Sequence, residues 1–363
     1  MQTFLRGFKI TGIATALPAS VSELRTLDEV YGQEEVERII ASTGIERVRT
    51  VPPGVCASDL CQAAAEKLLD ELAPDRSTVD GVLFLSQTPD WPLPSTACAL
   101  QDRLGLNRET VAMDIMYGCS AYIYGLFQAG LLVQSGVCQK VLVCAGDAIS
   151  RLVNPRDKAV RMVFGDAGSA TLIEKDECNP AWPFILRTDG GGGRHLIVPA
   201  GGGRQPCSRE TAQETEKESG NWRAPENIYM NGMEILNFSL REVPPIVRET
   251  AEMQGWTDGE LDQGAVILHQ ANRFMVDYLR RKMRLGIDTV PIAVAETGNT
   301  GPASIPLALS LSKDRLRQQQ RLAKTLMCGF GAGLSWGATA GNLSATVIFP
   351  PVEIGKVTVH ELG

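Results

Sequence analysis

The chain is short of several things that would announce a function. It holds only three histidines in 363 residues, His195, His269 and His360, so any mechanism that needs an imidazole must draw on one of these. It has no excess of positive charge. Lys and Arg number 35 against 42 Asp and Glu, a net charge of −7, which removes the usual electrostatic basis for nucleic-acid binding. No uninterrupted apolar run reaches the ~20 residues that span a bilayer. No Cys-x-x-Cys pair occurs among the nine cysteines, at 56, 61, 98, 119, 138, 144, 178, 207 and 328. Their odd count and irregular spacing point away from a disulfide framework and from a zinc site, and fit a reducing cytoplasm. No metal or redox cofactor is signalled.

What is present is an ordinary globular composition, with 44% apolar and 21% charged residues, in a chain long enough for two compact halves. The apolar run Thr11–Leu17 lacks the solid apolar core of a secretory leader. The β-propensity of Phe8–Ile13 predicts a first strand there instead. Strand-like and helix-like segments then alternate. Val79–Gln87, Thr110–Met116, Lys140–Gly146, Gly168–Glu174, Gly264–His269 and Thr325–Phe330 read as strands. Ser58–Leu72, Ser120–Gln134, Asn231–Gln254, Asn272–Arg284 and Ser304–Arg317 read as helices, the third broken or kinked at Pro244-Pro245. Such alternation predicts mixed or parallel sheets covered by helices. A similar order begins again after about residue 180, as in a distant internal duplication. The expected halves are 1–178 and 179–363, with an inserted loop near 190–227. Gly190–Gly193 in that loop is followed by no Gly-Lys-Ser/Thr, so it is a surface excursion rather than a phosphate cradle.

Three short motifs carry the chemistry. Gly118-Cys119-Ser120 joins a strand to a helix, so Cys119 faces the positive end of a helix dipole. That field favours the thiolate, the reactive form. Leu268-His269-Gln270-Ala271-Asn272 ends a strand and opens a helix. Thr297-Gly298-Asn299-Thr300-Gly301-Pro302-Ala303-Ser304 is a turn of small residues before another helix. Taken singly they are a core cysteine, a structural histidine and a capped turn. Taken together, about 150 and 30 residues apart, they propose a nucleophile and two hydrogen-bond donors.

In these contexts the chain resembles the 3-oxoacyl-acyl-carrier-protein synthase III group of the thiolase-like condensing enzymes. Further stretches carry the likeness: Ser42-Thr-Gly-Ile-Glu-Arg47, Leu93-Pro-Ser-Thr-Ala-Cys98, Phe164-Gly-Asp-Ala-Gly168, Met230-Asn-Gly-Met-Glu234 and Gly329-Phe-Gly-Ala-Gly-Leu-Ser-Trp-Gly337. The resemblance implies an α/β thiolase-like fold, two duplicated βα halves in α-β-α-β-α layers. It implies an acyltransferase with Cys119, His269 and Asn299 as catalytic residues and the backbone N–H groups of Cys119 and Ala332 as oxyanion hole. Cys119 would take an acyl group from acyl-CoA or acyl carrier protein (ACP). Malonyl-ACP or malonyl-CoA would then lose CO2, and His269 and Asn299 would donate hydrogen bonds to the enolate oxygen. A homodimer is implied, and no cofactor.

The chain departs from the group's pattern at the donor end. Arg38 and Ser42 occupy positions where a tryptophan and an arginine usually clamp the CoA adenine, and Lys158 replaces an arginine that often holds the CoA phosphates. An altered donor, and a specialised acyl pathway, would follow. Leu93 stands where an aromatic residue often closes the acyl tunnel. Arg273, Arg280, Arg281 and Lys282, with Arg284 beyond, form a basic stretch after His269 that would dock the acidic carrier protein. Three other readings compete. A thiolase would need a second catalytic cysteine, but Cys328 falls on the wrong strand face by alternation. Transfer of the acyl group to an oxygen or nitrogen nucleophile would use His269 as general base. A non-catalytic subunit would usually lack the nucleophile.

Overall fold

Two sheets and three helical layers organise the protein. The computed structural model describes residues 1–355, so His360 lies outside the described residues. Numbered in chain order, the strands of the two main sheets are β1 (Gln2–Leu5), β2 (Phe8–Pro18), β3 (Gly81–Leu85), β4 (Val111–Ile115), β5 (Lys140–Asp147), β6 (Ala167–Lys175), β7 (Trp182–Thr188), β8 (Ala265–Leu268), β9 (Thr325–Gly331), β10 (Ser335–Gly341), β11 (Val347–Ile348) and β12 (Val352–Ile354). The helices that matter below are α1 (Gln33–Thr43), α2 (Ala57–Leu72), α3 (Ala121–Gln134), α4 (Gly232–Met253), α5 (Arg273–Met283) and α6 (Ser304–Gln318).

The first sheet runs β11-β2-β6-β5-β3-β4, with β12 also on β2; the second runs β1-β7-β10-β9-β8. Both contain one order: the half's opening strand, its last, its last but one, then an earlier strand. This gives β2-β6-β5-β3 and β7-β10-β9-β8. In each, the inner crossover pair is parallel (β3 with β5, β8 with β9) and the strands beyond it are antiparallel. The repeated order is the structural form of the duplication. The chain ends cross over: β1 pairs with β7 of the second half, and β11 and β12 pair with β2 of the first.

The hydrophobic clusters define the layers. One joins the inner faces of both sheets (Leu83, Val143, Ile267, Met327) to α3 and α6 (Ile123, Leu126, Ile305, Leu309), so these two helices lie between the sheets. A second packs α2 (Leu60, Leu68) on the outer face of the first sheet. A third packs α4 and α5 (Phe238, Val247, Met275, Leu279) on the outer face of the second. The sequence of α3, Ala-Tyr-Ile-Tyr-Gly-Leu-Phe-Gln-Ala-Gly-Leu-Leu-Val-Gln, has almost no polar face because a sheet covers it on either side. Each large side chain it buries contributes about 1.5–3 kcal/mol.

Two expectations need correction. Pro244 and Pro245 do not interrupt α4. A proline at 244 cannot donate to the Leu240 carbonyl. The Lys282 Nζ of α5 donates to that oxygen instead, at 2.8 Å. The first strand is β1, not the Phe8 segment. Its four residues carry no periodic signal, and their partner, Trp182–Ile185, lies far along the chain. The excursion contains only short pieces of structure and packs on the 154–158 segment. There the Lys158 N–H donates to Asn221 Oδ1 at 3.1 Å, and Arg223 pairs with the fully buried Asp157 at 2.8 Å.

Candidate active site

Cys119 follows β4 and immediately precedes α3. The Ala121 N–H donates to the Gly118 carbonyl and the Ile123 N–H to that of Ser120, so the helix begins within two residues of the sulfur. Cys119 is buried, 6% exposed, and β9 lies against it. A Cβ on Gly331 would sit 2.8 Å from Cys119 Cβ and 3.1 Å from Sγ, so only glycine permits this approach. Ser120 and Ser335 share a hydrogen bond of 2.6 Å, and the Ser335 hydroxyl donates to the Ala332 carbonyl at 2.8 Å. These bonds fix the 331–335 turn against the start of α3. Strand alternation sends Cys328 the other way, into the cluster under α4.

His269 follows β8, which runs parallel to β9. Its N–H donates to the Cys328 carbonyl at 2.8 Å, its ring meets Phe330 edge-on at 5.4 Å, and its Nδ1 lies 2.7 Å from Ser304 Oγ. Burial pushes its pKa down to about 3, so the imidazole is neutral. Asn299 is held by strand-like bonds to the 163–165 segment: its N–H donates to the Val163 carbonyl at 2.8 Å, and its own carbonyl accepts from Gly165 at 3.0 Å. Its side-chain Oδ1 accepts the Gly301 N–H at 3.0 Å. The amide oxygen is therefore occupied and the NH2 is left to donate.

The three residues belong to one neighbourhood. Cys119 touches Gly331, whose neighbour Phe330 touches His269. His269 bonds Ser304, the first residue of α6, five residues after Asn299. Gly301, bonded to Asn299, packs against Asp147 at the end of β5, and Asp147 acts electrostatically on Cys119.

The thiolate expectation does not hold for the resting protein. Burial first, and Asp147 second, push the Cys119 thiol up to about 12. The dipole of one helix end is worth about 0.3–1 kcal/mol, too little to reverse full desolvation. The resting protein therefore holds Cys119 as a neutral thiol and His269 as a neutral imidazole, not as an ion pair.

The donor-end residues gather elsewhere. Arg38 pairs with Glu35 at 2.7 Å and Lys158 with the same carboxylate at 3.0 Å. These bonds hold Glu35 down to about 2, its hydrogen bond from Arg38 being the largest cause. Ser42 bonds only its own helix, donating to the Ile39 carbonyl. Leu93 is 81% exposed, in the loop between β3 and the helix Thr96–Arg103. Arg280 and Arg281 both pair with Asp277, and Lys282 caps Leu240, so much of the basic stretch is already engaged. Arg284 leaves the helix in a left-handed conformation. Arg273 packs its stem against Gly44.

Sequence reasoning did not assign roles to Ser304, Phe330 or Asp147. Ser304 lay inside the quoted Asn299 motif, but nothing in the order of residues placed its hydroxyl on an imidazole 35 positions away.

Comparison with known proteins identifies the family. The family model described as 3-Oxoacyl-[acyl-carrier-protein (ACP)] synthase III matches residues 113–190, and the model for its C-terminal part matches residues 252–343. A β-ketoacyl-ACP synthase III of Caldanaerobacter subterraneus is 32% identical over 335 residues, 91% of this chain and 96% of that one. The crystal structure of a 3-oxoacyl-ACP synthase from Burkholderia xenovorans superimposes with a TM-score of 0.90 at 35% identity, covering 98% of this chain and 99% of that one. That of a Thermus thermophilus β-ketoacyl-ACP synthase III gives 0.78 at 31%, covering 92% and 98%. By these matches, and by the thiolase-like halves that carry Cys119, His269 and Asn299, the chain belongs to the 3-oxoacyl-ACP synthase III family.

Proposed function

We propose that this protein is a decarboxylative condensing enzyme that lengthens an acyl group by two carbons. The observation that carries the reading is the donor set. His269 is neutral, with Nδ1 engaged by Ser304, and Asn299 has its amide oxygen tied to Gly301. With the Ser304 hydroxyl donating to Nδ1, His269 keeps its Nε2–H, and Asn299 keeps the two N–H of its amide, to give to one acceptor.

In the first half-reaction the Cys119 sulfur attacks the thioester carbonyl of an acyl-CoA or acyl-ACP. The carbonyl oxygen passes through an oxyanion held by the N–H groups of Cys119 and Ala332. The C–S bond of the donor breaks, and the proton lost by Cys119 ends on the departing thiol. Sulfur replaces sulfur, so the exchange is nearly balanced. In the second, malonyl-ACP or malonyl-CoA releases CO2. The electron pair of the broken C–C bond becomes an enolate, whose oxygen accepts from His269 Nε2 and Asn299 Nδ2. Each such donor is worth ~3 kcal/mol of barrier. The enolate carbon attacks the acyl-Cys119 carbonyl, and the cysteine leaves as thiolate and takes a proton from water. No resident cofactor is needed. Transfer to an oxygen or nitrogen nucleophile is disfavoured, because an imidazole held at about 3 is a weak general base at neutral pH.

The same reading makes Arg273 and the free edges of Arg280, Arg281 and Lys282 the carrier-protein contact, and Arg38, Ser42 and Lys158 the donor mouth. It makes residues 1–178 and 179–363 the duplicated halves, and the enzyme a cytoplasmic homodimer. The exposed apolar Leu93 and Met116, 81% and 74% accessible in one chain, support a second copy covering that side and Leu93 serving an acyl tunnel there. No described helix is long and apolar enough to cross a membrane. The test is intact-protein mass spectrometry with acyl-CoA and acyl-ACP panels, together with CO2 release from malonyl-ACP. An acyl mass gain absent from Cys119→Ala, and CO2 release lost in His269→Ala and Asn299→Ala, are expected. Equal acylation of Cys119→Ala would overturn the nucleophile.

A further inference from the structure

The resting chemistry leaves one group unused. Asp147 ends β5 with its carboxyl fully buried, and Gln87, whose N–H it accepts, packs its side chain against Gly118, the residue before Cys119. The two Asp147 oxygens are treated differently. Oδ1 accepts from Gln87 N–H at 2.7 Å, from the Ser86 hydroxyl at 2.8 Å and, more weakly, from Thr88 Oγ1 at 3.3 Å. Oδ2 has no hydrogen-bond partner among the described residues. It faces Gly301, where a Cβ would come within 3.1 Å of it. The hydroxyl of Thr300, the residue before Gly301, is also buried without a partner among the described residues. A buried carboxylate with one naked oxygen is costly, and the cost disappears when that oxygen carries a proton.

We propose, on the reading that Cys119 is the nucleophile, that Asp147 is a positioning residue whose proton on Oδ2 eases the ionisation of Cys119 and whose loss of that proton opposes it. With the proton present the carboxyl is neutral and fills the space between β5 and the Asn299 turn. Without it a full negative charge stands near the sulfur, and the thiolate is opposed. Burial holds Asp147 up to about 7, so both forms are populated near neutrality, and the Asp147 charge raises the Cys119 thiol. The other titratable groups facing Asp147 are Asp166, which precedes β6, and the buried Cys61 of α2. Like-charge repulsion from Asp166 adds to the same effect.

The sign follows directly. Below about pH 7 Asp147 is neutral, and Cys119 reactivity should rise tenfold per pH unit as the small thiolate fraction grows. Around pH 7 Asp147 ionises, the thiol is pushed further up, and the rise should stall. Above that it resumes on a lower line, displaced by on the order of tenfold.

The experiment is the rate of iodoacetamide alkylation of Cys119 from pH 5.5 to 9.5, read by peptide-resolved mass spectrometry so that the exposed Cys98, Cys178 and Cys207 do not obscure it. The wild type should show a shelf near pH 7. Asp147→Asn, neutral and of the same shape, should give one straight line that lies about tenfold above wild type at pH 8. A straight wild-type line overturns the proposal without any variant, so a failure of Asp147→Asn to fold does not protect it. A shelf that persists in Asp147→Asn overturns it in favour of Asp166. Acyl mass gain measured in parallel on Cys119→Ala separates the two readings. Acylation that survives that change removes the nucleophile, whereas acylation confined to Cys119 with superposable pH profiles removes only the role of Asp147.

Discussion

The Nδ1 of His269 lies 2.7 Å from the Ser304 hydroxyl, at the first residue of the helix that begins just beyond Asn299. One side chain thus ties the two proposed enolate donors together. Ser304 also accepts the Gln270 N–H at 3.4 Å, a longer bond from the residue after His269. When the Ser304 hydroxyl donates to Nδ1, the remaining ring hydrogen is on Nε2, the tautomer the condensation needs.

Ser304→Ala should therefore damage the second half-reaction more than the first. We expect CO2 release from malonyl-ACP to fall about tenfold, the worth of one hydrogen bond of ~1.4 kcal/mol. Acylation of Cys119, followed by mass, should be nearly unchanged. Equal losses in both would show that Ser304 only holds the fold.

Gly331→Ala places a methyl 2.8 Å from Cys119 Cβ, in a site with no slack. Overpacking of this kind costs about 1–3 kcal/mol of stability. Thermal melts should show that loss, and acylation should fall by more than the melt alone accounts for, because the sulfur itself is displaced. Full acylation at normal rate would mean that β9 moves freely away from the nucleophile.

His269 should make folding stability depend on acid. Its folded pKa is about 3 against an unfolded value near 6.5, so it binds its proton more readily in the unfolded chain. Its contribution is fully present above about pH 6.5 and is lost as pH falls toward 3. Asp147 acts in the opposite sense. Its folded pKa of about 7 exceeds the unfolded value near 3.9, so its contribution is present below pH 4 and is lost as pH rises through 7. Denaturant titrations of His269→Gln should show a flatter acid limb between pH 6.5 and 3 than wild type. An unchanged limb would place the proton uptake elsewhere.

Glu35 engages both Arg38 and Lys158. If these cations serve the phosphates of a CoA donor, Glu35→Gln should release them. KM for acyl-CoA should then fall, by about fivefold at most for contacts this exposed. KM for acyl-ACP and kcat should stay put. A rise in KM for acyl-CoA would show that Glu35 holds the cations in place rather than occupying them.

Lys282 should separate from its neighbours. Lys282→Met leaves the Leu240 carbonyl without the donor that replaces the one lost at Pro244, and should cost about 1 kcal/mol in urea denaturation. Arg273→Glu should instead raise KM for the carrier protein with little change in stability. If Lys282→Met weakened carrier binding as strongly as Arg273→Glu, the lysine would belong to the docking face after all.

Much of the layered fold was legible before the coordinates. Segments such as Ser58–Leu72 and Lys140–Gly146 bury one face, or both, and burial leaves a period in the sequence. The structure moves their ends by only a few residues, to Ala57–Leu72 and Lys140–Asp147. β1 left no such mark, since four residues on a sheet edge need only a partner strand. The uninterrupted α4 could not be foreseen either, because the donor that rescues Leu240 comes from another helix.

The amino-acid order by itself determined which groups are proposed to react: a cysteine before a helix, a histidine at a strand end, an asparagine in a turn of small residues. Those choices are local, made by turn geometry and by the chemistry each side chain carries. Only the tertiary structure decided the state in which they wait. Desolvation by two covering sheets outweighs one helix dipole, so the sulfur rests as a thiol, the imidazole rests neutral, and Asp147 is left buried against Gly301 with an oxygen unpartnered among the described residues. Ionisation is set by what surrounds a group in space, and that is not written along the chain.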